Sequence, residues 1–111
     1  MKLELQKMGD VAVVKMTIET LDASNSTEFK EAIQPVLETE LNVVLDLAGL
    51  AFVDSSGLGA FLSCMRRLHA KGGDLRLCAM SDSVRTVFEL VRMHRVVDIC
   101  NDVDEAVRRF A

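Results

Sequence analysis

Asn42-Val43-Val44-Leu45-Asp46-Leu47, then Leu50-Ala51-Phe52-Val53, then Asp54-Ser55-Ser56-Gly57-Leu58-Gly59 is the stretch on which the reading of this chain turns. The first run is compact and apolar, the pattern of a central strand covered on both sides. The second apolar stretch, Leu50 to Val53, leads directly into Asp54 and Ser55. From Ser56 the spacing becomes helical: Leu58, Phe61, Leu62, Met65 and Leu68 share one face. Gly72-Gly73 ends that helix, because glycine tolerates the left-handed cap position.

Working outward, the same alternation of strand and helix continues. Downstream, Leu75, Leu77 and Ala79 alternate with Arg76 and Cys78, which predicts a strand. Ser81 or Asp82 caps a helix whose inner stripe is Val84, Val87, Phe88 and Val91. Val96 to Cys100 reads as a short strand. Asn101 or Asp102 caps a last helix with Val103, Ala106, Val107 and Phe110 inside. Its acids, Asp104 and Glu105, come early and its bases, Arg108 and Arg109, late, which suits the helix dipole.

Upstream, Leu3 to Lys7 and Val11 to Ile18 read as antiparallel strands around a Gly9-Asp10 turn. A polar stretch, Glu19 to Ser26, precedes a helix with Phe29, Ala32, Ile33, Val36 and Leu37 on one face. Asn25 with Glu28 resembles a capping box. Pro35 lies inside the pattern and predicts a kink or a break.

The resulting order is β-β-α-β-α-β-α-β-α. Strands separated by single helices imply parallel pairs, and the first hairpin adds an antiparallel edge. The expectation is an α/β fold: one domain spanning 1–111, with a mixed, mostly parallel sheet and about four helices. Of the 111 residues, 50% are apolar, and with five Phe and no Trp or Tyr the core must be aliphatic.

The formal charge is -4, and the clearest basic pairs, Arg66-Arg67 and Arg108-Arg109, read as solvated helix faces. No direct nucleic-acid partner is therefore expected. No apolar run is long enough to span a bilayer, so no membrane partner is expected. Met1-Lys2-Leu3-Glu4-Leu5 lacks the apolar stretch of a signal peptide, and a cytoplasmic location is expected. Cys64, Cys78 and Cys100 are odd in number, widely spaced and in apolar contexts, which predicts buried free thiols. His69 and His94 add no metal-ligand pattern, and neither metal nor cofactor is expected.

Asp54 to Gly59 is where chemistry is expected. A helix N-terminus leaves backbone N–H groups without intrahelical acceptors, and these donors and the dipole stabilise an anion. A phosphoryl group on Ser55 or Ser56 is therefore tolerated there. It would add about -1.5 to -2 charge beside Asp54. The residues alone do not choose between the serines, and plain capping is the commoner use of such residues. The glycines also have a structural use, close packing of helix on sheet.

Enzymatic readings fit less well. Gly57-x-Gly59-x-x-Leu62 misses the third glycine of a dinucleotide fingerprint. Ser55 as a nucleophile needs a base within about 3 Å, while His69 on the same helix is roughly 21 Å away. Asp22, Asp46 and Asp54 each follow an apolar residue near a strand end, where loop capping is the commoner role.

Val43-Val44-Leu45-Asp46-Leu47 and Phe52-Val53-Asp54-Ser55-Ser56-Gly57-Leu58-Gly59 resemble the signature of the STAS domain, and more narrowly that of bacterial anti-sigma factor antagonists. Leu21-Asp22 and Lys71-Gly72-Gly73-Asp74-Leu75-Arg76-Leu77 are further matches, so the resemblance covers nearly the whole chain. It implies a non-enzymatic regulator phosphorylated on Ser55 by a serine kinase that is also an anti-sigma factor. It implies that the unphosphorylated form binds that kinase and frees the sigma factor, and that a PP2C-type phosphatase restores this form. It implies a partner surface built from Asp22, Ser24 and Asn25 together with Asp54, Ser56, Gly57, Leu58 and Gly59. In this reading Asp54 helps orient the Ser55 hydroxyl, and Gly57 and Gly59 let the partner approach the backbone. Two positions depart from the family's habit: Glu19 and Arg92 stand where glycine is common. A constitutive STAS scaffold in a signalling or lipid-transport assembly, with Ser55 only a cap, is the alternative.

Overall fold

β4 (Asn42–Asp46) takes the centre of a five-stranded sheet, as its unbroken apolar run predicts. In this computed structural model, which describes residues 1–110, the sheet order is β1-β2-β4-β6-β7. β1 (Glu4–Met8) is antiparallel to β2 (Val11–Lys15); β2, β4, β6 (Asp74–Cys78) and β7 (Asp98–Cys100) run parallel. The mixed, mostly parallel sheet predicted from the strand–helix alternation is therefore present.

Side chains alternate across a strand, so each buried strand feeds two cores. Ala12, Val14, Val43, Leu45, Leu75 and Leu77 point to the larger core, which includes α1 (Ser26–Thr39), α2 (Ser55–Ala70) and α3 (Asp82–Leu90). Val11, Val13, Val44, Cys78 and Cys100 point the other way, toward α4 (Val103–Arg108). Phe61 of α2 meets Phe29 of α1 edge-on at 5.8 Å and stacks on Phe88 of α3 at 6.0 Å. These three rings tie the three helices into one layer. All three cysteines are free and buried. Burial pushes the Cys64 and Cys78 thiols up to about 12.

The structure departs from the sequence reading in several places. A two-residue strand, β3 (Thr20–Leu21), lies inside the stretch read as polar loop. It pairs in parallel with β5 (Phe52–Val53), so the second apolar run, to which the sequence reading assigned no strand, contributes to a small separate sheet. Two residues are too few to show a period of two. Asn25 begins α1 without a side-chain cap bond, so the capping box with Glu28 does not form. Its carboxamide is engaged instead by the Asp22 N–H and the Thr20 carbonyl, both at 2.9 Å.

α1 runs through Pro35 without a break. Pro35 and Glu31 are exposed, so the carbonyl that proline leaves without a donor faces water. Val91 is exposed and not part of the inner stripe of α3. The last strand starts at Asp98, because a 3₁₀ turn at Met93–Arg95 takes up the preceding residues. Ser81 caps α3 and Asp102 caps α4 through their side chains. α2 closes as the glycine pair predicts: Gly72 has φ +84°, and Gly72 and Gly73 donate to His69 and Leu68 carbonyls.

Arg92, where the resemblance leads to an expectation of glycine, has φ 60° and ψ 26°. A side chain in that left-handed region costs about 1–2 kcal/mol, part of which glycine gives back in backbone entropy. Arg92→Gly is expected to raise stability by about 0.5–1 kcal/mol, read from the urea midpoint. A disulfide-exchange dye is expected to label none of Cys64, Cys78 and Cys100 in the native protein at pH 8. All of them should react on unfolding, and fast native labelling would contradict the thiol burial.

Candidate functional site

The β3–β5 ladder sets Leu21 beside Val53, and so brings the residues after each strand together. Asp54 follows β5 in extended conformation and caps α2. Its carboxylate accepts from the Gly57 N–H at 3.1 Å through one oxygen and from the Ala23 N–H at 3.2 Å through the other. Its own N–H donates to the Leu21 carbonyl at 3.2 Å. One residue thus starts the helix and ties the 22–25 loop to it. In the folded chain Asp54 thus caps α2 and ties the loop to it.

The loop is braced from within. The Asp22 carboxylate accepts from the Ser24 N–H at 2.9 Å and from the Ser24 hydroxyl at 2.5 Å. The hydroxyl, then the N–H, hold the Asp22 carboxyl below its ordinary value. Asn25 closes the loop through its bonds to Asp22 and Thr20. Glu19, the other departure from a common glycine, is exposed, and its carbonyl accepts from Ala51 at 2.7 Å and Phe52 at 3.2 Å. These are backbone contacts that any side chain at 19 permits.

Ser55 is exposed at the first position of α2, while Ser56 is half-buried. Accessibility therefore separates two serines that the residue pattern left equivalent. Asp22, Ser24, Asn25, Asp54, Ser55 and Ser56 come together around the start of α2, and exposed Gly59 lies one turn on. Gly57 and Leu58 do not belong to that surface: both are buried. A Cβ on Gly57 would lie 2.5 Å from Val53 Cγ2 and 2.6 Å from the Leu21 carbonyl oxygen. Gly57 thus seats α2 on the β3–β5 ladder and is itself buried. Gly59 has nothing within 4 Å of such a Cβ. Sequence reading missed Ala23 and the Leu21–Val53–Gly57 contact, because both depend on the unforeseen β3.

His69 lies at the other end of α2 with its Nε2 2.8 Å from Asp74, and His94 is exposed in the 3₁₀ turn. Among the described residues no cluster of His, Cys, Asp or Glu could hold a metal, and no helix is long and apolar enough to cross a membrane.

A mixed sheet with α1 to α3 on one face and α4 on the other, and an Asp-capped helix start beside a polar loop, define the STAS class of fold. Bacillus SpoIIAA in its phosphorylated form has the same fold, with a TM-score of 0.72 at 23% identity over 99% of this chain and 100% of that one. The sequence model of the STAS domain matches residues 2–106, and the chain belongs to that family. The anti-sigma-B factor antagonist of Listeria monocytogenes is 30% identical over 83 residues, 73% of this chain and 72% of that protein. The anti-sigma F factor antagonist of Paenibacillus polymyxa is 25% identical over 101 residues, 89% and 86% of the two chains.

The two glycines of α2 are expected to respond oppositely to alanine. Gly57→Ala forces Val53 and the Leu21 backbone to move and should cost about 1–3 kcal/mol. Gly59→Ala enters open space inside a helix and should gain about 0.5–1 kcal/mol. Urea unfolding of both variants measures the contrast, and equal effects would refute the close approach at Gly57.

Proposed function

We propose that this chain is an anti-sigma factor antagonist switched by phosphorylation of Ser55. The unphosphorylated form binds an anti-sigma factor that is also a serine kinase, and so releases the sigma factor. A PP2C-type phosphatase returns the phosphorylated form to that state. The protein works in the cytoplasm, as one domain spanning 1–111, by binding and without catalysis of its own.

The observation that carries this reading is the exposed Ser55 hydroxyl at the start of an Asp-capped helix. A kinase can reach it without unfolding anything. The unpaired N–H groups of the first turn and the helix dipole favour the phosphoryl group that results. The same group brings about -1.5 to -2 charge next to Asp54 and Asp22. An acidic cluster then stands where the partner docks, and a partner fitted to the unmodified face is repelled.

The docking surface consists of Asp22, Ser24, Asn25, Asp54, Ser55, Ser56 and Gly59. Gly57 and Leu58 shape it from beneath. The relatives named as anti-sigma factor antagonists support the partner class, and the SpoIIAA structure in a phosphorylated form supports the modification.

Incubation with ATP and the cognate kinase is expected to place one phosphoryl group on the chain and on Ser56→Ala, and none on Ser55→Ala. Ser55→Ala should still bind the kinase, and Ser55→Glu should bind it at least tenfold more weakly. Phosphate uptake by Ser55→Ala would refute the Ser55 assignment.

A further inference from the structure

α1 and α2 meet at the Phe29 and Phe61 rings, and beyond that contact they leave a groove of about 190 Å³. Its floor is apolar and buried: Ile33 and Leu37 from α1, and Cys64 from α2. Its rim is exposed, with Lys30 on the α1 side and Arg67 on the α2 side. Arg67 lies about 18 Å along α2 from Ser55, so the groove is separate from the proposed switch.

The two cations have no partner within the fold. Among the described residues, Lys30 and Arg67 form no ion pair. Glu31 also lines the groove, and it pairs with neither. Both cations are felt at the floor. Burial pushes the Cys64 thiol up to about 12, and Arg67 and Lys30 pull against that rise. The groove is therefore locally positive, although the chain as a whole carries -4.

Chemistry at both ends selects the occupant. A bare inorganic anion answers the cations and leaves the apolar floor against water. A neutral alkyl chain covers the floor and leaves the cations without a counter-charge. A nucleotide or a phospholipid is too large, since sites for drug-sized ligands run to roughly 300–1,000 Å³. At roughly 30 Å³ per heavy atom, the share of a water molecule in the liquid, the groove encloses about six.

We propose that this groove binds a short aliphatic carboxylate of about the size of hexanoate. Its carboxylate sits at the open rim between Lys30 and Arg67, and its hydrocarbon end lies against Ile33, Leu37 and Cys64. Arginine offers a planar fork that matches a carboxylate, and lysine a compact charge on a flexible stem. The bound ligand bridges α1 and α2. The inference does not depend on the Ser55 reading and stands if that reading falls.

The test is titration of the isotope-labelled chain with sodium hexanoate at fixed ionic strength, followed by amide chemical shifts. Amides within 30–37 and 63–67 are expected to move and saturate, with a dissociation constant on the order of 1 mM for so small a ligand. Hexylammonium and hexanol keep the tail, acetate and phosphate keep the negative charge, and each should bind at least tenfold more weakly. Lys30→Gln/Arg67→Gln changes two exposed side chains, so it should melt as wild type does. It should bind hexanoate at least tenfold more weakly. Ser63→Leu, at a half-buried position lining the groove, should block it with both cations in place. Hexylammonium or hexanol binding as tightly as hexanoate would overturn the role of the cations. Acetate or phosphate doing so would overturn the role of the floor. Full binding by both variants, or no saturating shift in wild type, would remove the site.

Discussion

The close approach of α2 to the β3–β5 ladder at Gly57 sets the geometry on which the rest of the site depends. Only a hydrogen fits between the helix and the Leu21 carbonyl and Val53 methyl. That contact seats the first turn of α2, and Asp54 then has one carboxylate oxygen for the helix and one for Ala23. Ser55, the next residue, is left on the surface. Exposure of the serine therefore follows from packing beneath it, and not from loop flexibility.

The sheet supplies the rigid support for this arrangement. β4 is buried on both faces, with Val43 and Leu45 toward one core and Val44 toward the other. The three stacked and edge-on Phe rings join α1, α2 and α3 over the same face. A helix clamped in this way cannot shift much when its N-terminus gains charge. Under the proposed switch, phosphorylation at Ser55 acts locally, adding charge and bulk at the proposed docking face with the fold unchanged.

The two positions where the resemblance led to an expectation of glycine differ in backbone conformation. At Glu19 the chain makes backbone hydrogen bonds and the residue is exposed. At Arg92 φ is positive, so a side chain there carries strain.

Much of this protein was legible in the residues alone. The apolar runs, the changes of period and the Gly72-Gly73 cap determined the α/β class, the helices and the central strand, because burial and helix termination act through local spacing. Resemblance to a family then singled out Ser55. Tertiary structure alone decided the remainder. β3 is too short to show a period, so its pairing with β5 was hidden, and with it the meeting of the 22–25 loop and Asp54. Gly57 and Leu58 read as accessible motif residues, yet both are buried, Gly57 because α2 seats it against Val53 just before the helix and Leu21, which is distant in sequence. Asn25 and Glu28 had capping-box spacing, but stronger partners at Asp22 and Thr20 took the Asn25 side chain. Spacing specifies what a residue can do locally; which of those options it takes depends on contacts that only the folded chain brings within reach.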